Sequence, residues 1–470
     1  MSRTLTEVTQ PTASSSSGGA QSNNGGAGSE PAGHGPVSPG AGVPGPRLPA
    51  AIQTVGLLAR MVPLMERSRR RYGETFKLRV LGVGELVFIS DPPSIKRLVT
   101  GASRLPRGRT VVLEPIMGAR SILLLQGEEH LRRRRLMLPP FHGERMRAYE
   151  ETIAEETERE IATWPLGETF ELHARMQAIT LEVILRAVFG VEDAARREDL
   201  RTLLVDLLGL TGSPSLQLLT LSPRAPSWVG PLRRLRELLE RTDSLLAAEI
   251  AERRADPKLS ERDDILSMLC AAEFEDGEQM DDTEIRDQLM TLLLAGHETT
   301  ATALAWSLDL LFHNPAAFDA LRESVAGGSS DYIDAVATET LRLRPVVPQI
   351  GRELTEPGEY GGRELPAGAV VMVSVYLAHT RPDVYSDPYG FSPERFLEGS
   401  PDTFSWIPFG GGTRRCLGAA FVTLEMRVVL RTLIKRTSLR AAYDRPEQMV
   451  RRNVTMAPKH GVPVVLESRS

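Results

Sequence analysis

Cys416 lies in the run Phe409-Gly-Gly-Gly-Thr-Arg-Arg-Cys-Leu-Gly418 and is one of only 2 cysteines in 470 residues. A thiolate presented by a glycine-rich loop suits an axial ligand of haem iron. The anionic sulfur pushes electron density onto the metal and favours O–O cleavage. Glycines let the backbone pass close to a flat macrocycle and turn N–H groups toward the sulfur. Those N–H groups, with Arg414 nearby, are expected to favour thiolate over thiol. An isolated cysteine is ordinarily a small core hydrophobe. Cys270, at the end of Ile265-Leu-Ser-Met-Leu-Cys270, fits that description. For Cys416 it fails: Phe, two Gly, Arg and Cys at fixed offsets coincide by chance at roughly one position in ten million.

Three further groupings could do chemistry. Ala295-Gly-His-Glu-Thr-Thr300 sits inside a helical pattern spanning about 282–313. A glycine, an acid and two threonines are poor helix-interior composition. Leu292, Leu293 and Leu294 before them, and Ala301, Ala303 and Leu304 after, imply burial. A buried acid beside a buried hydroxyl needs a reason. Glu339 and Arg342 are three apart and share a helix face. Alone, such a pair is usually a solvated contact of less than about 1 kcal/mol. Here Leu341, Leu343 and Pro345 surround it, and Pro393-Glu-Arg-Phe396 follows downstream. His130 and Arg134, in His130-Leu-Arg-Arg-Arg-Arg-Leu136, also share a face.

The cysteine run resembles the haem-binding loop of the cytochrome P450 family, F-x-x-G-x-R-x-C-x-G, at Phe409, Gly412, Arg414, Cys416 and Gly418. The other groupings resemble the same family's motifs. Ala295–Thr300 is similar to its oxygen-activation segment A-G-x-[D/E]-T-[T/S]. The resemblance implies that Gly296 opens the helix against haem b, that Thr299 hydrogen-bonds dioxygen and that Glu298 belongs to the proton relay. Glu339, Arg342 and Arg395 are similar to the family's structural triad, which locks the cysteine loop. His130 and Arg134, joined by Arg352 and Arg414, are expected to hold the two haem propionates. In the family the outer face of the His130 helix belongs to the surface that docks an electron donor, so Arg132 and Arg133 become candidate docking residues. His297 could assist the relay, and a packed or solvent-linked role fits it equally. His379 matches a family motif only loosely, and neither is read as a ligand.

The elements that must position these groups follow from composition and punctuation. Hydrophobic residues are 41% and charged residues 25%, normal for a globular enzyme, and a net charge of -5 argues against a nucleic-acid binder. All but five of the 56 basic residues are Arg, which looks like the coding bias of a GC-rich bacterium. Two cysteines give no disulfide framework and suit the cytoplasm. No membrane span and no signal peptide are read. Residues 1–46 are Ser-, Gly-, Ala- and Pro-rich and are expected to be a disordered tail, with 47–470 a single catalytic domain. A helix is expected over about 50–71, strands near 75–80 and 85–90, helices over about 127–313, and short strands again near 352–376. The fold class is mainly α with small β-sheets, matching the family's triangular prism.

By order along the chain, the resemblance places the substrate pocket at Val111, Val112, Ile116, Leu292, Val346, Val347, Ile350, Val454 and Met456. These aliphatic side chains imply a lipophilic substrate such as a fatty acid, terpenoid, steroid or polyketide. The proline-rich segment 221–231 is read as a mobile entrance. The leading expectation is a monomeric monooxygenase that takes O2 as co-substrate. No flavin or iron–sulfur domain is read after residue 418, so electrons from NAD(P)H are expected through a separate ferredoxin or flavodoxin and a reductase. A peroxide-driven peroxygenase, an O2-independent isomerase or dehydratase, and a non-catalytic haem sensor are the alternatives. The intact Glu298-Thr299 pair argues for O2.

Overall fold

Asp281 opens the longest helix, Asp282–Phe312, by accepting a hydrogen bond from Glu284 N at 2.8 Å. Asp282 and Glu284 occupy its first turn, where negative charge is favoured. His313-Asn314 end it, and Pro315 starts the next helix. Every residue from Thr300 to Leu311 is buried, so the second half is covered on all sides, as in a core helix. A computed structural model describes residues 42–106, 114–143, 145–191, 193–211, 230–399, 401–452 and 454–469.

On this central helix pack Leu172–Ala187, Gly230–Ala255, Asp331–Leu343 and Ala419–Arg436. Arg145–Ile161 packs on Leu172–Ala187 and Ala419–Arg436, Ala194–Thr211 packs on Gly230–Ala255, and Gly127–Met137 reaches the start of the central helix through Arg133 and Glu284. Their apolar faces make the largest core cluster, with Trp164, Phe189, Leu204 and Leu304 deep inside. A five-stranded sheet stands apart with its own two clusters. Its order is Phe76–Val80, Gly84–Ile89, Val370–Ser374, Gln349–Leu354, Ser103–Arg104. Gly84–Ile89 and Val370–Ser374 run parallel, with Ile89 opposite Val373, and the other pairs are antiparallel. A three-stranded sheet joins Thr169–Glu171, Pro463–Arg469 and Thr437–Ala441. The hairpin Met449–Arg452/Thr455–Pro458 reaches back toward the central helix, where Met456 O accepts from Trp306 Nε1 at 2.9 Å.

Two boundaries differ from the sequence expectation. The helix expected over 50–71 is two, Ala50–Ala59 and Met61–Tyr72, broken at Arg60. Pro63 explains the break: its ring excludes the carbonyl of residue 59 from a continuous helix. Residues 42–46, assigned above to the tail, are packed. Val43 is buried, Pro44 O accepts from Lys77 N at 2.8 Å, and Pro46 O accepts from Gln53 Nε2 at 3.2 Å. The rest of the expected tail lies outside the described residues, as do positions 221–229 of the expected entrance. Gly230 and Pro231 instead begin the helix Gly230–Ala255, where proline fits the first turn.

Candidate active site

The loop that carries Cys416 is built by backbone conformations that only glycine adopts freely. Gly412 has φ 64, and a Cβ there would collide with the carbonyl oxygen of Val99. The loop therefore lies against the end of helix Pro92–Thr100. Cys416 N donates to Phe409 O at 2.8 Å, and the Phe409 ring packs edge-on against Trp406, centroids 5.9 Å apart. Cys416 lines a cavity and keeps accessible surface. Burial pushes the thiol upward, and Gly418 N–H, Arg134 and Arg415 oppose this only in part. The loop N–H expected to favour the thiolate is present at Gly418, and the cations acting on the sulfur are Arg134 and Arg415. A bound metal cation would favour the thiolate at this position.

The cavity has a volume of about 1530 Å³. His130, Arg134, Arg352 and Arg414, from three distant segments, all line it. The His130 imidazole is lowered to about 4, first by burial and then by the charges of Arg414, Arg134 and Arg352. Three guanidinium groups therefore converge on one neutral ring. Arg134 has no carboxylate partner among the described residues, and Arg352 Nη1 donates to Gly351 O at 2.8 Å. Arg414 donates to Ile122 O at 3.2 Å and to Leu125 O. A flat ligand with an anionic edge and a metal centre that accepts sulfur fits this donor set.

On the central helix, Gly296, Glu298 and Thr299 also line the cavity. The helix runs unbroken across Gly296, where a Cβ would meet only Ile184 Cδ1 at 3.4 Å. Thr299 Oγ1 donates to Ala295 O at 2.6 Å, which satisfies the hydroxyl proton within the helix. Glu298 accepts from Gln177 Nε2 at 2.6 Å and from Thr302 Oγ1 at 3.5 Å. Thr302 Oγ1 lies 3.1 Å from His173 Nε2. Burial raises the Glu298 carboxyl, and Gln177, Arg452 and Thr302 oppose it. Burial lowers His173 to about 4, so it is a neutral hydrogen-bonding partner near pH 7. Gln177 and His173 carried no sequence signal beyond their place on the helical face of Leu172–Ala187. His297 is buried with Nδ1 unpartnered, and its imidazole is lowered to about 4 by burial.

Glu339, Arg342 and Arg395 meet as the sequence suggested. Arg342 donates Nε to Glu339 Oε2 at 2.6 Å and Nη2 to Glu339 Oε1 at 2.8 Å. Arg395 Nε donates to Glu339 Oε1 at 3.1 Å. Arg342 also reaches the carbonyls of His379, Pro388 and Gly390 at 2.9, 2.7 and 2.8 Å. His379, read above as a loose match, is a clamp in the same unit. Its Nδ1 lies 3.0 Å from Arg342 O, and its Nε2 accepts from Ile407 N at 2.8 Å, in the segment leading to Cys416. Burial lowers it to about 3, which keeps Nε2 an acceptor.

Of the expected pocket residues, Leu292, Val346, Val347, Ile350 and Val454 line the cavity. Ile116 does not line it, packing instead against the main core. Met456 is buried among Leu57, Met61 and Leu377, because the hairpin turns that side chain away from the cavity. Val111 and Val112 lie outside the described residues. The candidate docking residues Arg132 and Arg133 have partners within the chain. Arg132 pairs with Asp276 at 2.5 Å, Arg133 with Glu284 at 2.7 Å, and both lie over the Phe274 ring. Arg135 pairs with Glu275 at 3.4 Å. Arg132 and Arg135 are engaged by the segment before the central helix, and Arg133 by the first turn of that helix.

The family model described as Cytochrome P450 matches residues 42–463. A Mycobacterium tuberculosis protein named "Putative cytochrome P450 135B1" is 42% identical over 428 residues, covering 89% of this chain and 90% of its own length. "Putative cytochrome P450 137" from the same species is 38% identical, covering 90% of each. Two solved structures share the fold. The haem domain of cytochrome P450DA has TM-score 0.79 at 21% identity, covering 91% of this chain and 98% of that one. Retinoic acid-bound cyanobacterial CYP120A1 has TM-score 0.77 at 23% identity, covering 88% and 96%. With the match running through the central helix and the cysteine loop, this chain belongs to the cytochrome P450 family.

Proposed function

We propose that this protein inserts one oxygen atom from O2 into a C–H or C=C bond of a lipophilic molecule. Family membership supplies the general activity, that of a haem-thiolate monooxygenase. The observation that carries the finer reading is one cavity bordered by Cys416, by the Glu298-Thr299 pair and by Leu292, Val346, Val347 and Ile350. Haem, when bound, supplies oxygen activation and electron transfer. Cys416 Sγ would ligate its iron, and His130, Arg134, Arg352 and Arg414 would hold its propionates. The Glu298 carboxyl, made less acidic by burial, would serve as a proton carrier beside the Thr299 hydroxyl. Gln177 and Thr302 fix that carboxyl in place. The aliphatic wall orients a lipophilic substrate and excludes water. Electrons from NAD(P)H would arrive through a separate ferredoxin or flavodoxin and its reductase. The intact acid–threonine pair supports O2 over a peroxide-driven reaction.

The test is the absorption spectrum of the dithionite-reduced protein under carbon monoxide, beside Cys416→Ser. A strongly red-shifted Soret band that the variant loses is expected. A band at the position of histidine-ligated haem, or no haem in folded protein, would overturn the assignment. Lipophilic candidates are then titrated for a spin-state shift.

A further inference from the structure

The hairpin Met449–Arg452/Thr455–Pro458 carries two arginines that border the cavity, Arg451 and Arg452. The pleat sends their side chains to opposite faces. Arg451 stands opposite Met456, whose side chain is buried among Leu57, Met61 and Leu377. Arg452 stands opposite Thr455, which lines the cavity. Arg452 therefore faces the cavity, and its charge acts on the Glu298 carboxyl and the His173 imidazole. Its side chain is exposed, as is that of Val454 at 59%, so both stand at the cavity's rim.

The guanidinium of Arg452 has no ion pair among the described residues. The acids that border the cavity are taken by other partners. Glu156 accepts from Arg186 at 2.7 Å, Glu160 from Arg175 at 3.2 Å and Glu198 from Arg201 at 2.7 Å. Glu182 lies 3.8 Å from Arg201 and also feels the charge of Arg197. Glu298 is held by Gln177 and Thr302, and burial favours its neutral form. Glu425 is buried against Thr300. Residues 107–113 and 212–229, which lie outside the described residues, contain no Asp or Glu.

A guanidinium takes a carboxylate through paired N–H donors, and a carboxylate at a rim keeps part of its hydration. The cavity is aliphatic at Leu292, Val346, Val347 and Ile350. A ligand with an apolar body and an anionic end matches both parts, whereas a cationic end would meet like charge at Arg452. We propose that the substrate is a lipophilic carboxylate whose anionic end pairs with Arg452, leaving its apolar end for oxidation. The assignment rests on the monooxygenase reading of this cavity and adds the chemistry of one end of the substrate.

The experiment titrates the full-length, haem-loaded protein near neutral pH with octanoate, dodecanoate and hexadecanoate, each beside the alcohol of equal chain length. Binding is read from the spin-state shift and, independently of the iron, by isothermal titration calorimetry. At least one acid is expected to bind about ten-fold or more tighter than its alcohol. Arg452→Gln abolishes that preference by weakening the acid and not the alcohol. Arg452→Lys keeps part of the preference, and Arg451→Gln, on the opposite face, keeps it whole. Melting curves confirm that the variants fold, and the wild-type comparison of acid with alcohol carries the test if Arg452→Gln does not. Acids that bind no tighter than their alcohols overturn the proposal. So does a preference that survives Arg452→Gln, or the failure of every acid to bind. Any of these results beside a red-shifted carbon monoxide band removes only the carboxylate assignment; loss of that band removes the monooxygenase reading itself.

Discussion

Glu425 shows what a single buried carboxyl does to this protein. It lies on Ala419–Arg436, the helix that leaves the cysteine loop, and faces the central helix near Thr300. Burial drives it up to about 8 from an ordinary 4.5, and the Thr300 hydroxyl offsets only part of this. Between these values the unfolded chain is ionised while the folded protein holds the proton. Folding therefore takes up a proton, and stability is lost as pH rises through the window. Glu425→Gln removes the titration. The variant should gain on the wild type by a few kcal/mol as pH rises from about 5 to about 8, read from thermal melts at the two pH values. Parallel melting trends would mean that the carboxyl is not held neutral.

At the scale of elements, the buried triad welds Asp331–Leu343 to the Pro388–Phe396 segment, and His379 extends the weld toward the cysteine loop. Arg342 and Glu339 are both fully buried. Glu339→Gln leaves two guanidinium groups without their carboxylate, which typically costs about 3–5 kcal/mol. Denaturant unfolding should show that loss together with weaker haem retention; a loss under about 1 kcal/mol would contradict a desolvated triad. The helix Gly127–Met137 makes a separate case. Arg133 is spent on Glu284, which is itself buried at the start of the central helix. Arg133→Glu should cost about 1–3 kcal/mol of stability while leaving reduction by an external donor unchanged. Slower reduction in a protein of normal stability would support the docking role.

The whole molecule assembles its cavity from segments between Leu105 and Thr455, so the site exists only when nearly the entire described chain is folded. On the proposed reading, NAD(P)H alone should leave the protein oxidised. Addition of a ferredoxin or flavodoxin with its reductase should then give NAD(P)H consumption that rises with a lipophilic ligand. Stopped-flow absorption would report this, and direct reduction by NAD(P)H would remove the need for a separate donor.

Short-range chemistry is legible in the order of residues along the chain. The cysteine loop, the acid–threonine pair and Glu339-x-x-Arg342 need fixed residue types within one loop or one helical turn, so their spacing states their geometry. The alternating and helical apolar periods likewise mark the strands near 76–89 and the long helices. What chain order leaves open is decided where distant segments return. The convergence of Arg134, Arg352 and Arg414 on His130 follows from family resemblance and not from spacing. The support of Glu298 by Gln177, the engagement of Arg132 and Arg133, and the burial of Met456 have no counterpart in any local pattern. A cation's partner and an apolar residue's facing depend on which element packs opposite, often more than a hundred residues away. That choice is made by burial across the whole fold, not by neighbours in sequence.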